Sequence, residues 1–583
     1  MYSFFQKHGI GLLFAVIVGI ILVVPILRAP VSIGETYQGV QYLPLDDEDI
    51  YRVRINEVLD GHAFITSPYF HEYKDSPISV PPFNEWLYAL PALVIGLSGS
   101  IVVLKFLLPA SLFFLVYLLV YRLTERNDDT KNTWSVLIAS LSTGLLVTLG
   151  FEFVHYKYLW SVLHGGVANP IIWSRLVNPI AGAVQLFGFL VLLEAIISRR
   201  FKYAYVCAGV LLSLTIGYFF TFGIALSILG SLCVILVGRK EWAIARELVY
   251  VGIIGFVISL WYWITMFSSI AGTEGSLRGM RNGMSFTHAP VLNMVLLAGT
   301  AFVVLSAALV HFRHRTFPHP QSWAFVSALI LGSWIAFNQQ IITGREVWYG
   351  HFFQYSVPLV YVAVSVVAYH SWRIRYPRVW LFASVTILAA TSLLGLFSIS
   401  QVHSRETEFA RIQEYAPVFT WLNNNAGKEC VVFVKEYDEE FERLIPAYTH
   451  CDVYSSTWTF SGVPSERILH NYLLRLRLLG ISEENVHEYV LHDVERVRGY
   501  FYTDWKQMFT EGTDAWYLER VSYLENEYAH FLQGDLQDQM SLYRMDYIMS
   551  KDPIVDGTIE GLPPLHLVNR IGNYYVYSQN KTN

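Results

Sequence analysis

Apolar runs long enough to cross a bilayer, about 17–25 residues each, fall at 9–27, 100–121, 133–150, 176–197, 219–237, 248–268, 290–311, 322–338, 353–371 and 379–399. A shorter run at 203–217 pairs with 219–237 as a tight helical hairpin, which makes eleven. Only closed barrels and helices satisfy the backbone inside lipid, and runs of this length are helices. Composition agrees, since 15% of the residues are charged where a soluble chain carries about a quarter. The first run follows Lys7 and His8 but is too long for a signal peptide and has no small-x-small cleavage site, so it reads as an uncleaved helix. No basic stripe stands apart from the short loops, which excludes nucleic acid as a partner.

The run at 84–97 is short, contains Pro91 and follows Pro81-Pro82. Loop charge decides how to read it. Arg122/Arg126/Lys131, Arg199/Arg200/Lys202, Arg239/Lys240/Arg246, Arg313/Arg315 and Arg373/Arg375/Arg378 all belong on the cytoplasmic side. They alternate correctly only if 84–97 does not cross and lies as a juxtamembrane helix. The N-terminus is then cytoplasmic, with external loops at 28–99, 151–175, 269–289 and 339–352. The expected fold is a polytopic α-helical membrane protein of about eleven transmembrane helices over 1–399, in a plasma or inner cell membrane. An extracytoplasmic α/β domain follows over 400–583. In that domain ECVVFVKE, HCDVYSS, RMDYIMSK and LHLVNRIGNYYVYSQ read as strands and YDEEFERLIPAY as a helix. Cys430 and Cys451 stand near the starts of two such strands, where a disulfide is possible in an oxidising compartment; Cys207 and Cys233 read as packing residues.

Asp46, Asp47, Glu48 and Asp49 stand together just beyond the first helix. An acidic loop can simply be solvated. Here, however, a helical pattern starts inside the cluster, with Asp47, Tyr51 and Arg54 on one face and Ile50, Val53 and Val58 on another. Adjacent carboxylates raise one another's pKa unless a cation compensates. A fixed arginine would do so, and so would Mg²⁺ or Mn²⁺ held by Asp47 and Asp49. A carboxylate held there can also serve as a base towards an acceptor hydroxyl.

The sequence D-E-x-x-Y (Asp47 to Tyr51), a long loop ending in P-P-F-N-E-W with Glu85, and Lys105 before Leu108-Pro109 resemble the GT-C superfamily of membrane glycosyltransferases. The pattern is similar to protein O-mannosyltransferases and lipid A aminoarabinose transferases. It covers the first 200 or so residues, and the rest of the membrane part matches in organisation only. The resemblance implies a GT-C-like fold and transfer of a sugar from a polyprenyl-phosphate donor to a glycan, lipid or protein acceptor at the outer face. It implies Asp47 as the acceptor-activating or metal-binding carboxylate, with Glu48 beside it. The family arginine near the second helix is Lys105 here, and the second external loop offers only Glu152, His155 and His164 in place of an acidic motif.

In NQQIITGREVWYGHFFQY the polar amides would be costly at a helix end unless they face a polar cavity. Arg345 suits a lipid phosphate and His351 suits the phosphate or the sugar; bacterial GT-C-like proteins carry a similar T-G-R…H stretch. Arg278 and Arg281 are further candidates to guide an anionic head group, and Arg175 beside Asn178-Pro179 fits a structural role equally well. A transporter and a non-catalytic scaffold of the same fold are the alternatives. Few mid-membrane charges speak against transport.

Overall fold

The computed structural model describes residues 2–45, 47–76, 81–125, 133–166, 169–270, 277, 279–281, 283–314, 320–373, 376–456, 463–555, 557 and 559–579. Asp46, Arg126, Lys131, Arg278, Arg315 and Arg375 lie outside these residues. Each expected apolar run is a helix, from α1 (Tyr2–Ile33) to Pro377–Ser400. Among the described residues nine helices are long and apolar enough to cross a membrane, and Trp134–Leu149 and Ala204–Gly217 are shorter apolar helices.

The proline-containing run at 84–97 is continuous in helical structure with the next one, as α3 (Phe83–Thr124), but Gly96 breaks it. At φ 72° and ψ 161° Gly96 occupies backbone space that side chains with a Cβ avoid. Before the break Leu87, Leu90, Leu93 and Val94 are exposed, an apolar stripe suited to the surface of a bilayer. The membrane helices pack closely where small residues allow it. A Cβ on Gly332 would come within 2.7 Å of the Ile228 backbone, so Pro320–Phe337 and Phe219–Gly238 meet main chain to main chain there.

The C-terminal domain is built on a five-stranded sheet ordered β4-β3-β5-β7-β6. Its strands are β3 (Val431–Val434), β4 (Asp452–Val453), β5 (Tyr547–Ser550), β6 (His566–Ile571) and β7 (Tyr574–Ser578); β1 (Ser285–Phe286) and β2 (Arg345–Glu346) form a separate two-stranded antiparallel sheet. β3 runs parallel to β4 and β5, and β7 is antiparallel to β5 and β6. β3 is apolar throughout because both its faces are covered: Val431 and Phe433 join one core, Val432 and Val434 another. Val431 pairs with Asp452, so the preceding Cys430 and Cys451 lie side by side, 4.4 Å apart at Cα, and form the disulfide.

The loop between α1 and α3 does not stay with the membrane helices. Val40, Val53, Tyr69 and Phe70 belong to the core of the C-terminal domain, so the two parts share a packed boundary. α2 (Glu48–Leu59) runs along it. Beyond α2, His62 lies 3.1 Å from Glu57 and 3.7 Å from Glu429; His71 lies 3.5 Å from Asp452 and 3.6 Å from Glu429. Buried Lys74 bridges Glu57 and Asp452, 3.0 Å from each. Arg544 reaches the far side of the His71 ring, and Asp60 is held above its ordinary range by burial.

Hydrogen bonding to Glu57 raises the pKa of His62, and hydrogen bonding to Asp452 raises that of His71. A histidine raised on folding stabilises fully below its unfolded pKa of about 6.5 and loses that contribution as pH rises through the folded value. The boundary is therefore expected to loosen above about pH 6.5. Limited proteolysis of the whole protein between pH 6 and 9 should show faster cleavage at the alkaline end. The His62→Gln/His71→Gln variant should show a flatter profile.

Candidate active site

Successive side chains on a helix point about 100° apart, so consecutive carboxylates at its start cannot share one partner. The structure gives each of the three described ones a cation of its own. Asp47, at the N-cap of α2, pairs with Arg175 from the loop before Ile180–Ile197. Glu48 pairs with Lys105 of α3 at 2.5 Å and also accepts the Leu176 and Leu45 backbone N–H groups at 2.7 and 3.1 Å. Asp49 pairs with Arg443 of the C-terminal domain at 3.0 Å. All three acids also sit at the positive end of the helix dipole.

Burial separates the three. Glu48 is fully buried and Lys105 is 3% exposed; the ammonium is completed by the Ser174 carbonyl oxygen at 2.6 Å. Asp49 is buried as well, and burial pushes its carboxyl up to about 6, with Arg443 pulling the other way. Asp47 keeps 35% of its side chain exposed. It is the one carboxylate of the three that a ligand can reach. Asp47 and Asp49 are turned towards arginines on different elements, so these residues do not fit the divalent ion expected between them.

One turn along, buried Tyr51 carries two guanidinium groups over its ring, Arg175 at 5.4 Å and Arg54 at 5.9 Å. Arg54 pairs with fully buried Glu85 at 2.7 Å. Tyr218 hydrogen-bonds Nδ1 of His351, and Phe220 stacks on that ring at 4.6 Å. Tyr355 lies 6.1 Å from Tyr218, ring to ring, and donates to the Pro179 carbonyl oxygen at 3.2 Å. Burial holds the Tyr51 and Tyr218 hydroxyls well above 10 although Arg54 pulls both down, so they remain neutral. Burial lowers the Arg175 pKa from its ordinary value, but a guanidinium stays ionised. The result is a polar floor of two ion-paired guanidinium groups and neutral hydroxyls beside the accessible Asp47.

Of the described residues expected at a site, Asp47, Glu48, Tyr51, Glu85, Lys105 and His351 gather here, with Asp49 beside them but turned to Arg443. Arg345, Arg281, His155 and His164 lie elsewhere. Arg345 is exposed on the β1–β2 pair over the Phe286 ring. Arg281 is buried and donates to the Tyr502 carbonyl oxygen at 3.0 Å, tying its loop to the C-terminal domain. His155 packs against Phe353 and Phe151. His164 bonds the Trp160 carbonyl oxygen and stacks on that indole. Tyr218 and Phe220 carry no motif and are invisible to sequence reading, and Tyr355 ends the stretch NQQIITGREVWYGHFFQY without a signal of its own. Arg54 was signalled by its spacing from Asp47 and Tyr51. A narrow apolar cleft lined by Leu22, Pro25, Ile26, Tyr42, Pro170 and Ile171 reaches Lys105 from beside α1.

No protein-family profile and no curated protein matches the sequence. Solved structures do resemble the fold. ArnT from Cupriavidus metallidurans bound to undecaprenyl phosphate aligns at 12% identity over 98% of both chains, with a TM-score of 0.48. The same protein in its apo state aligns at 13% identity over 99% of this chain and 98% of that one, with a TM-score of 0.47. The archaeal oligosaccharyltransferase AglB from Archaeoglobus fulgidus, in complex with an inhibitory peptide and a dolichol-phosphate, aligns at 14% identity. That alignment covers 94% of this chain and 70% of that one, with a TM-score of 0.44. At these identities and scores the likenesses carry no argument about chemistry, which rests on the residues above.

Proposed function

We propose that this protein transfers a sugar from a polyprenyl-phosphate-linked donor to an acceptor hydroxyl at the extracytoplasmic face of a cell membrane. The observation that carries this reading is Asp47, the one accessible carboxylate among the three described acids at the start of α2, paired with Arg175 beside buried hydroxyls. A guanidinium that can leave its carboxylate suits a lipid phosphate, and the carboxylate it leaves suits the incoming hydroxyl.

In this mechanism the donor phosphate draws Arg175 to itself and leaves Asp47 free. Asp47 takes the proton of the acceptor hydroxyl as its oxygen bonds to the anomeric carbon. The bond from that carbon to the phosphate oxygen breaks on the opposite side through an oxocarbenium-like state, so the centre inverts. Arg175 holds the charge of the leaving phosphate. Arg175 thus takes the part that the sequence suggests for Arg345, with His351 and Lys105 beside it; the charge of Lys105 is spent on Glu48 and that of Arg54 on Glu85. His351 and Tyr218 shape the sugar side, and exposed Arg345 lies further out. The C-terminal domain, over the site, selects the acceptor.

The test uses membranes holding the protein and a panel of radiolabelled polyprenyl-phosphate sugars. Incorporation from one donor class, and none from nucleotide sugars, is the expected result. No incorporation from any donor, with solute flux in proteoliposomes, would establish transport instead.

A further inference from the structure

We propose that Arg443, on helix Glu439–Tyr448 of the C-terminal domain, is a positioning residue for Asp47 and acts through Asp49. The inference rests on the transferase reading above for its activity readout.

α2 has twelve residues, a length at which a helix is marginal by itself, so its placement comes from what it touches. On the membrane side it is held by Glu48 and Lys105. Arg52 donates to the Gln41 side-chain oxygen at 2.9 Å and Glu57 pairs with Lys74, both within the loop that carries α2, whereas the helix's direct polar contacts to the C-terminal domain go to one short segment. Asn56 donates to the Ala447 and Pro446 carbonyl oxygens at 2.8 and 3.0 Å. Arg52 donates to the Ala447 carbonyl oxygen at 2.8 Å and lies 4.1 Å over the Tyr448 ring. Asp49 meets Arg443 at 3.0 Å.

These contacts divide the work. Asn56 and Arg52 grip carbonyl groups near the far end of α2 and set its height. Asp49 is two residues from Asp47 and is the last tie to the C-terminal domain before the site. It lies about 200° around the helix from Asp47. A pull on Asp49 towards Arg443 therefore fixes the rotation that points Asp47 at Arg175. Loss of Arg443 would strand a buried carboxylate, and turning the helix is the way to give it water. Displacements near 1 Å at a reacting group cost about 100-fold in rate. The C-terminal domain in this reading is part of the catalytic geometry as well as a cover over it.

The test compares the full-length parent, Arg443→Ala and Arg443→Lys in the transfer assay. The expected result is a fall of about tenfold or more in kcat for Arg443→Ala with an unchanged donor KM, and substantial recovery in Arg443→Lys. An unchanged kcat in Arg443→Ala would overturn the inference, and so would a loss that Lys does not restore in protein of normal thermal stability. A second readout needs no activity. In an Asp47→Cys background, labelling of the introduced thiol by a water-soluble reagent should speed up when Arg443→Ala is added. Equal labelling rates would overturn the inference. Faster labelling, together with a parent protein that transfers no sugar from any donor, would retain it and discard the transferase reading.

Discussion

Asp47→Asn is expected to lower kcat for sugar transfer by about 10²–10⁴-fold, the usual share of a general base. Asparagine keeps the shape of the side chain and its place at the start of α2, so the fold has little reason to change. It cannot take a proton from the acceptor. The effect on donor KM separates this reading from simple loss of structure. Asp47 occupies Arg175 in the structure, and the phosphate must compete for the same guanidinium. Removing the carboxylate charge frees Arg175, so the donor KM should stay level or fall while kcat collapses. Initial rates across donor concentrations measure both. A KM that rises with kcat intact would make Asp47 a binding residue, and wild-type rates would send the base to Asp46 or to another element.

The membrane part was legible because length and hydropathy decide it: every apolar run became a helix. The juxtamembrane reading of 84–97 rested on loop charge, and the break at Gly96 supplies a physical reason for a segment that changes direction there. The order of strands and helix around ECVVFVKE was legible through alternation and turn residues. The disulfide needed the parallel register of β3 and β4, which sequence suggests but does not fix. What sequence could not show is which cation each carboxylate meets. Lys105, Arg175 and Arg443 come from a membrane helix, the loop before Ile180–Ile197 and the C-terminal domain, and only the tertiary fold brings them to three adjacent residues. For the same reason Arg281 looked like a phosphate ligand when its hydrogen bond is to the Tyr502 backbone. Hydropathy also could not reveal that Val40, Val53, Tyr69 and Phe70, in a loop between membrane segments, complete the core of a domain that begins hundreds of residues later.

Glu48→Gln and Lys105→Met, made singly, are each expected to destabilise the protein by about 3–5 kcal/mol, because each leaves a buried charge without its partner. Glu48 is wholly enclosed and Lys105 is touched only by the narrow cleft beside α1, so water cannot replace the lost ion in full. The double variant should lose much less than the sum, since no charge remains to be stranded. It should not reach parity, however. The Ser174 carbonyl oxygen loses the lysine, and the Leu45 and Leu176 N–H groups keep a full set of acceptors only if the glutamine carbonyl serves both. Unpaired buried groups of this kind cost about 1–3 kcal/mol each. Thermal unfolding of the four proteins in one detergent gives the coupling directly. Additive losses would mean that the pair is not a pair in the folded protein. A strongly negative coupling would separate two neighbouring acids by their purpose: with Glu48 removed stability falls and activity follows it, whereas with Asp47 removed activity falls alone. Adjacent carboxylates repel one another at the start of α2, and the arrangement is tenable because each has a different cation and, on this account, a different task.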